Sequence, residues 1–176
     1  MKNKLLLFLV FVLFFLSFLQ DVKAGVNIYE NARTLPESKI IGQTGDAFRL
    51  SDFKGDLLLA HFWSRDCGPC IKELKSLNAF HNKVKDDNIR LILISPQSEW
   101  FDMNEQRLFL KRYGAPDVEF YVEENNKLSA DLGIFRTPHT VIINQNGEEA
   151  GRLAGSETWD KQKVIDFIKN LKQKLQ

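Results

Sequence analysis

Two cysteines three residues apart, Cys67 and Cys70, constrain this chain more than any other feature of its sequence. They enclose Gly68 and Pro69, and they are the only cysteines among the 176 residues. A nearly continuous apolar run, 57–63, precedes them and is typical of a strand that is buried on both faces. Apolar residues at helical spacing follow them, so the pair is predicted to lie between a buried strand and the first turn of a helix.

The composition excludes several classes of protein. The chain has 44% hydrophobic and 27% charged residues, as expected of an ordinary globular domain and not of a disordered or collagen-like chain. Its 24 basic residues barely exceed its 23 acidic ones, which gives a net charge of +1. Because no basic excess is available to neutralise phosphates, we expect no nucleic-acid partner.

The first 24 residues have the pattern of a secretory signal. Two lysines precede an uncharged stretch from Leu5 to Leu19, and Val22-Lys23-Ala24 places small residues where a signal peptidase inspects the chain. The apolar stretch is shorter than the ~20 residues of a typical membrane-spanning helix. Residues 1–24 are therefore predicted to be a signal peptide, with an N-terminal membrane anchor as the alternative. Residues 25–176 are then one exported domain, which we expect to be periplasmic and monomeric.

Hydrophobic periodicity predicts a mixed α/β order along the rest of the chain. The predicted strands are 48–51, 57–63, 89–94, 119–122, 139–143 and 148–153, with an N-terminal β extension before them. The predicted helices follow Pro69 and cover 103–113, 128–132 and 159–175, the last with Val164, Phe167, Ile168, Leu171 and Leu175 on one face. An early βαβ unit and a late hairpin then give a mixed central β-sheet flanked by helices. The cysteine pair lies at the sheet edge where reaction sites of α/β proteins collect.

Together these segments resemble the thioredoxin superfamily, and within it the exported TlpA/ResA-like thiol-disulfide oxidoreductases. The resemblance spans roughly 42–175 and is carried by Phe62-Trp63-(x3)-Cys67-Gly68-Pro69-Cys70-(x2)-Glu73, by Gly133-Ile134-Phe135-Arg136-Thr137-Pro138 and by 48–55. It implies a thioredoxin-like fold and a redox-active disulfide that needs no cofactor and no metal. It also implies exported protein thiols and disulfides as partners, and a membrane thiol-disulfide relay as electron donor.

The predicted position of the cysteines at a helix start assigns a role to each thiol. Cys67 would lie outside the first turn, where free backbone N–H groups and the positive end of the helix dipole favour its thiolate. Cys70, one turn inward, is expected to be less exposed and to resolve mixed disulfides. Asp66 opposes the dipole, because a negative charge beside Cys67 disfavours the thiolate. Two alternatives stay open: an inert structural disulfide, and a zinc site that adds His61 or His139.

Glu73 and His61 are candidates for handling protons near the cysteines. In the resembled family, an acid at the position of Glu73 lies beneath the active site and tunes the cysteine proton transfers. The TlpA-like branch often has Asn where this chain has His61, and a neutral histidine can move protons at near-neutral pH. The structural alternatives are a solvated helix carboxylate for Glu73 and a hydrogen-bonded core histidine for His61.

The resemblance also implies a substrate-binding edge. In the family, the proline at the position of Pro138 follows a cis peptide bond, and the backbone of the residue before it, here Thr137, pairs with a bound peptide. Trp63, Gly68 and Pro69 are expected to complete this docking surface. An ordinary trans turn proline is the structural alternative.

These observations predict an exported thiol-disulfide oxidoreductase that acts mainly as a reductase. Gly-Pro between the cysteines is the dipeptide of the reducing thioredoxins, whereas strong oxidants of the superfamily tend to carry Pro-His. The substrates implied by the resemblance are apocytochrome c, as in cytochrome c biogenesis, copper-site assembly proteins and misoxidised exported proteins. The alternatives are a disulfide oxidase or isomerase and, from another class, a redox-inactive thioredoxin-like binding module.

Overall fold

The continuous apolar runs of the sequence form the centre of the sheet. Our computed structural model describes residues 25–175, so the predicted signal segment 1–24 lies outside the described residues. Strands β4 (Leu57–Phe62) and β5 (Ile89–Pro96) run parallel, with Leu57 opposite Ile89. Every side chain of β4 is buried. A strand of this kind needs a covering layer on each face, which explains why its sequence does not alternate.

Six further strands extend the sheet on both sides of this pair. They are β1 (Gly25–Arg33), β2 (Lys39–Ile41), β3 (Ala47–Arg49), β6 (Glu119–Glu123), β7 (His139–Ile143) and β8 (Glu149–Ala154). The order across the sheet is β1-β8-β7-β4-β5-β6-β2-β3. The β5–β6 pair is parallel like β4–β5, and all other neighbours are antiparallel. The prediction of a mixed α/β fold with a late hairpin is confirmed.

Four α-helices are present in the described residues. They are α1 (Gly68–Val84), α2 (Met103–Arg112), α3 (Lys127–Asp131) and α4 (Gln162–Lys174). Helices α1, α2 and α4 contribute to the hydrophobic core on one face of the sheet. The other face is covered by α3, by a 3₁₀ turn at Leu50–Asp52 and by loop residues such as Phe53 and Ile134. No helix within residues 25–175 is long and apolar enough to span a membrane.

The N-terminal β extension is larger than the sequence indicates, and it covers both edges of the sheet. Strand β1 pairs with β8 at one edge, while β2 and β3 form a small antiparallel arm next to β6 at the other. The predicted strand 48–51 is shorter than expected. Its last two positions belong to the 3₁₀ turn, because Leu50 turns inward and is fully buried.

The last helix begins three residues later than predicted. Trp159 is fully buried in the turn before α4, which starts at Gln162. The predicted buried face is wrong at one position, since Phe167 is 39% exposed while Ile165 is buried. The apolar stripe of α4 runs through positions 164, 165, 168 and 171, and a helix turns position 167 away from that line.

Candidate active site

Cys67 and Cys70 form a disulfide at the N-terminus of α1, with Cα atoms 5.2 Å apart. Cys67 is the N-cap residue, and its Sγ accepts a hydrogen bond of 3.2 Å from the backbone N–H of Cys70. Cys67 is partly exposed and Cys70 is fully buried. The exposed Gly68 and Pro69 form the first turn between them. A partner molecule therefore meets Cys67 first, with Cys70 behind it.

The loop before β7 passes beside a cleft at the same edge of the sheet. The Thr137–Pro138 peptide bond is cis, as the resemblance implies, with Thr137 exposed and Pro138 buried. The cleft measures about 330 Å³ and collects residues from the ends of β4 and β5, from α3 and from this loop. Its lining includes Phe62, Trp63, Ile134, Phe135, Arg136 and Thr137. Phe135 is 88% exposed and adds an apolar ring to the lining of this cleft.

Trp63 lines this cleft from within the core. The residue is buried, and its ring packs against Trp100 and Phe109 with centroids 5.7 and 5.9 Å apart. Its contribution to the cleft is a rigid apolar wall and not a projecting contact.

Arg65 connects the segment before Cys67 to the loop after β5 through hydrogen bonds. Its backbone N–H donates to Glu99 Oε2 at 2.8 Å, and its guanidinium donates to the carbonyl of Glu99 and to Glu105 Oε1. The guanidinium also stacks over the ring of Trp100 at 5.0 Å. Hydrogen bonds from the Phe101 N–H and from Arg65 lower the pKa of Glu105.

Glu73 and His61 meet in the interior beneath α1. Both side chains are almost completely buried, so Glu73 is not a solvated helix carboxylate. Its Oε1 atom lies 3.3 Å from His61 Nε2, while Oε2 accepts hydrogen bonds of 3.1 Å from Trp159 Nε1 and from the Glu157 N–H. His61 Nδ1 lies 2.9 Å from Thr140 Oγ1. Glu73 and His61 thus form a buried carboxylate–imidazole pair that hydrogen bonds hold in place.

His139, the first residue of β7, lies opposite Phe62 of β4 at the rim of the site. Burial lowers the pKa of His139, and electrostatic repulsion from Arg152 and from His61 lowers it further, while Glu149 partly opposes the shift. No group of three or more His, Cys, Asp or Glu side chains that could hold a metal ion is found among residues 25–175.

Comparison with known proteins places the chain in a family. Residues 30–167, most of the chain, match the Redoxin family. The chain belongs to the Redoxin family. This Redoxin is 25% identical over 183 residues to the thiol-disulfide oxidoreductase ResA of Bacillus cereus, covering 97% of this chain and 99% of the relative. It is 28% identical to the thiol:disulfide interchange protein DsbE of Vibrio cholerae, covering 89% and 90% of the two chains.

A solved structure confirms the fold. The solution structure of a thiol:disulfide interchange protein from Bacteroides matches 81% of this chain and 90% of its own, with a TM-score of 0.66 and 17% identity. The predicted membership of the thioredoxin superfamily, in its TlpA/ResA-like branch, is thus confirmed. Together with the Cys67–Cys70 disulfide, the family and these relatives make this Redoxin a thiol-disulfide oxidoreductase.

Three residues of the site escape sequence reasoning. Thr140 and Trp159 hold the His61–Glu73 pair, and Arg65 anchors the segment before Cys67. No local pattern marks them, because their partners stand 79, 86 and 34 residues away along the chain. The size and apolarity of Trp159 give a weak indication in the sequence that the residue is buried. Nothing in the sequence indicates that it bonds to Glu73.

Proposed function

We propose that this Redoxin is an exported protein-disulfide reductase that uses the Cys67–Cys70 dithiol. The observation that carries the proposal is the unequal exposure of the two cysteines at the start of α1, three residues after Ser64, which lines the cleft. A disulfide with a purely structural role would not require one partly exposed and one buried cysteine. Gly68 and Pro69 also match the reducing members of the superfamily.

The reaction needs only the two thiols and a substrate disulfide. The Cys67 thiolate attacks one substrate sulfur, which forms a mixed disulfide and releases the other substrate sulfur as a thiolate. Cys70 then loses its proton and attacks Sγ of Cys67, which releases the second substrate thiolate and closes the Cys67–Cys70 disulfide. Two electrons pass to the substrate, and the two protons lost by the enzyme thiols balance those taken up by the products.

Glu73 and His61 are proposed to accept the proton that Cys70 loses. Cys70 and Glu73 stand three residues apart on α1, a spacing that places them on the same face of the helix. Both are buried, so bulk water has little access to the Cys70 thiol. A carboxylate–imidazole pair inside the protein supplies the proton acceptor that water cannot.

The cleft, whose lining includes Trp63 and Ser64 shortly before Cys67 in the chain, is proposed to hold the substrate segment around its cysteine. Thr137 is exposed directly before Pro138, where its backbone can pair with an extended peptide. Trp63 forms the apolar wall, and the exposed Gly68 and Pro69 allow a partner chain to approach Cys67 closely.

The cellular setting is proposed from the first 24 residues and from the relatives. A signal peptide, or an N-terminal anchor, would deliver the domain to the periplasm, where a membrane thiol-disulfide donor would reduce it again. Its substrates would be exported proteins of the kind handled in cytochrome c maturation or metalloprotein assembly. The domain would act as a monomer, without cofactor, metal or nucleic acid.

The test is insulin reduction with single-cysteine variants. Cys67→Ser should abolish activity, whereas Cys70→Ser should trap mixed disulfides through Cys67. Retained activity in Cys67→Ser, or trapping through Cys70 alone, would contradict the assignment. A parent protein that binds peptides but reduces no disulfide would instead be a redox-inactive binding module.

The reduction potential of the couple separates a reductase from an oxidase or isomerase. A reduction potential of about −270 mV, as in thioredoxin, supports the reductase, whereas a reduction potential of about −120 mV indicates an oxidant. Export is tested independently by the intact mass of the protein recovered from cells. A mature chain that begins at or near Gly25 supports a cleaved signal, and a full-length chain in the membrane fraction supports the anchor.

A further inference from the structure

A line of contacts crosses the interior behind Cys70. Thr140 of β7 contacts His61 of β4, His61 contacts Glu73 of α1, and Glu73 accepts a hydrogen bond from Trp159 in the turn before α4. All four residues are less than 5% exposed. Solvent therefore does not reach these four residues, and the positions of their protons depend on their own hydrogen-bond donors and acceptors.

Glu73 is oriented so that only one oxygen faces His61. Both hydrogen bonds from Trp159 and from the backbone of Glu157 end on Oε2. Oε1 faces His61 Nε2 at 3.3 Å, and neither atom has another hydrogen-bond partner within residues 25–175. A proton on Nε2 makes this contact attractive, whereas a lone pair on Nε2 facing a carboxylate oxygen is repulsive.

Which nitrogen of His61 carries the proton depends on the partner of the other nitrogen. The Thr140 hydroxyl has one hydrogen to donate and lone pairs to accept with. When it donates to Nδ1, the neutral ring carries its proton on Nε2, towards Glu73. When His61 is an imidazolium, the same hydroxyl accepts from Nδ1–H. Thr140 can thus satisfy the ring before and after proton uptake.

We propose that Thr140 is a positioning residue for thiol exchange: its hydroxyl donates to Nδ1 of neutral His61 and so directs the Nε2–H to Glu73 Oε1, which takes up the proton of Cys70 on its remaining lone pair. The inference rests on the proposed role of the His61–Glu73 pair. It adds a residue on a third element, β7, to a site whose predicted proton handlers lie on β4 and α1 only.

Few charged or titratable groups lie near His61 among the described residues. Glu73 faces it from α1, where Cys70 also lies, and Trp159 packs edge-on against its ring with centroids 5.9 Å apart. His139 on β7 is close enough for the charge of His61 to act on it, and Arg152 and Glu149 of β8 act on His139 in turn. The Glu157 backbone approaches Glu73 from the turn before α4.

The test isolates the step in which Cys70 attacks. Reduced protein reacts with 5,5′-dithiobis(2-nitrobenzoate) at Cys67, and the attack of Cys70 then releases the second thionitrobenzoate ion. Thr140→Val removes the hydroxyl at nearly constant volume, and Thr140→Ser keeps it. A lost charge-assisted hydrogen bond is equivalent to about a tenfold change. Because the Glu73 carboxylate then loses the Nε2–H that stabilises its charge, Thr140→Val should move the low-pH limb up by about one unit and slow this release about tenfold on that limb. Thr140→Ser should overlay the parent.

Two further measurements decide the matter, and the second does so even if Thr140→Val folds poorly. In the Glu73→Gln background, Thr140→Val should have no further effect on the release rate. In the parent labelled with ¹⁵N-histidine, neutral His61, assigned with His61→Asn, should show a protonated Nε2. A neutral ring protonated on Nδ1, or an equal effect of Thr140→Val with and without Glu73, would overturn the inference. Either result leaves exchange by Cys67 and Cys70 intact, so it is distinct from a failure of the proposed function.

Discussion

At the scale of single residues, the site combines a partly exposed cysteine with a buried carboxylate–imidazole pair. Cys67 faces solvent in part, while Cys70, Glu73 and His61 are buried and shielded from water. Burial makes each interaction among them stronger and each missing partner more costly. The exchange rate should therefore depend on side chains that no substrate touches.

Replacing either member of the pair should change the pH dependence of exchange. Glu73→Gln keeps the shape of the side chain and its acceptor for Trp159, but it removes the titrating group. We expect its rate profile to lose the low-pH limb, with little change in fold stability. His61→Asn should retain activity and alter the same limb.

Glu157→Gln is the matched control, because only the backbone of Glu157 contacts Glu73. Its profile should coincide with that of the parent. Profiles of Glu73→Gln and His61→Asn that also coincide with the parent from about pH 5 to 9 would show that neither residue handles protons. Stopped-flow measurements of disulfide exchange across this range provide the comparison.

At the scale of elements, β1 is tied to the sheet by a polar cluster and by a close backbone contact. Tyr29 of β1 donates a 2.7 Å hydrogen bond to Glu149 of β8, and Arg152 donates to the same carboxylate at 2.6 Å. Burial alone would raise the pKa of the Glu149 carboxyl, but the hydrogen bonds from Arg152 and Tyr29 hold it below its ordinary value. The charged carboxylate is thus the form that stabilises this edge.

The pH dependence of stability follows from that direction. A depressed pKa contributes stability above the unfolded value of about 4.3, and this contribution disappears as the pH falls through the folded value. Glu149→Gln should lower the free energy of unfolding at pH 7 by about 1–3 kcal/mol, with the difference shrinking below about pH 4. Urea unfolding at several pH values measures this. The exposed neighbour Glu148→Gln should show no such pH-dependent gap.

Gly151 permits β1 to lie close to β8. A Cβ atom at this position would stand 2.6 Å from the carbonyl oxygen of Asn27, where strand backbones meet. Gly151→Ala should therefore push β1 away and destabilise the fold by about 1–3 kcal/mol. Gly25→Ala is the control, since its Cβ would meet nothing within 4 Å. Equal urea midpoints for the two variants would show that β1 adapts without cost.

At the scale of the whole molecule, the carboxyl edge of the sheet presents the disulfide next to a cleft and an exposed aromatic side chain. Phe135 projects at the cleft, only three residues before the cis proline. Polypeptide substrates are larger than the cleft and should use this ring as an anchor, whereas small disulfides need only Cys67.

Phe135→Ser should therefore slow insulin reduction about five- to tenfold and leave the reaction with a small disulfide unchanged. Phe167→Ser is the matched control, since Phe167 is also exposed but belongs to α4 and does not line the cleft. An equal loss of rate with both kinds of substrate would mean that Phe135 stabilises the loop before β7 and does not bind the polypeptide substrate. Steady-state kinetics with the two substrates make the distinction.

The sequence by itself determined the central strands, the helix that starts at Cys67 and the hairpin after Pro138. These follow from local patterns, because covalent geometry fixes which side chains of a strand or helix share a face. Only the tertiary structure decided the pairing of β1 with β8, the pairing of Trp159 with Glu73 and the contact of Thr140 with His61. Such contacts depend on which elements become neighbours in the fold. Residues 79 or 86 positions apart form no local sequence pattern that would predict a contact between them.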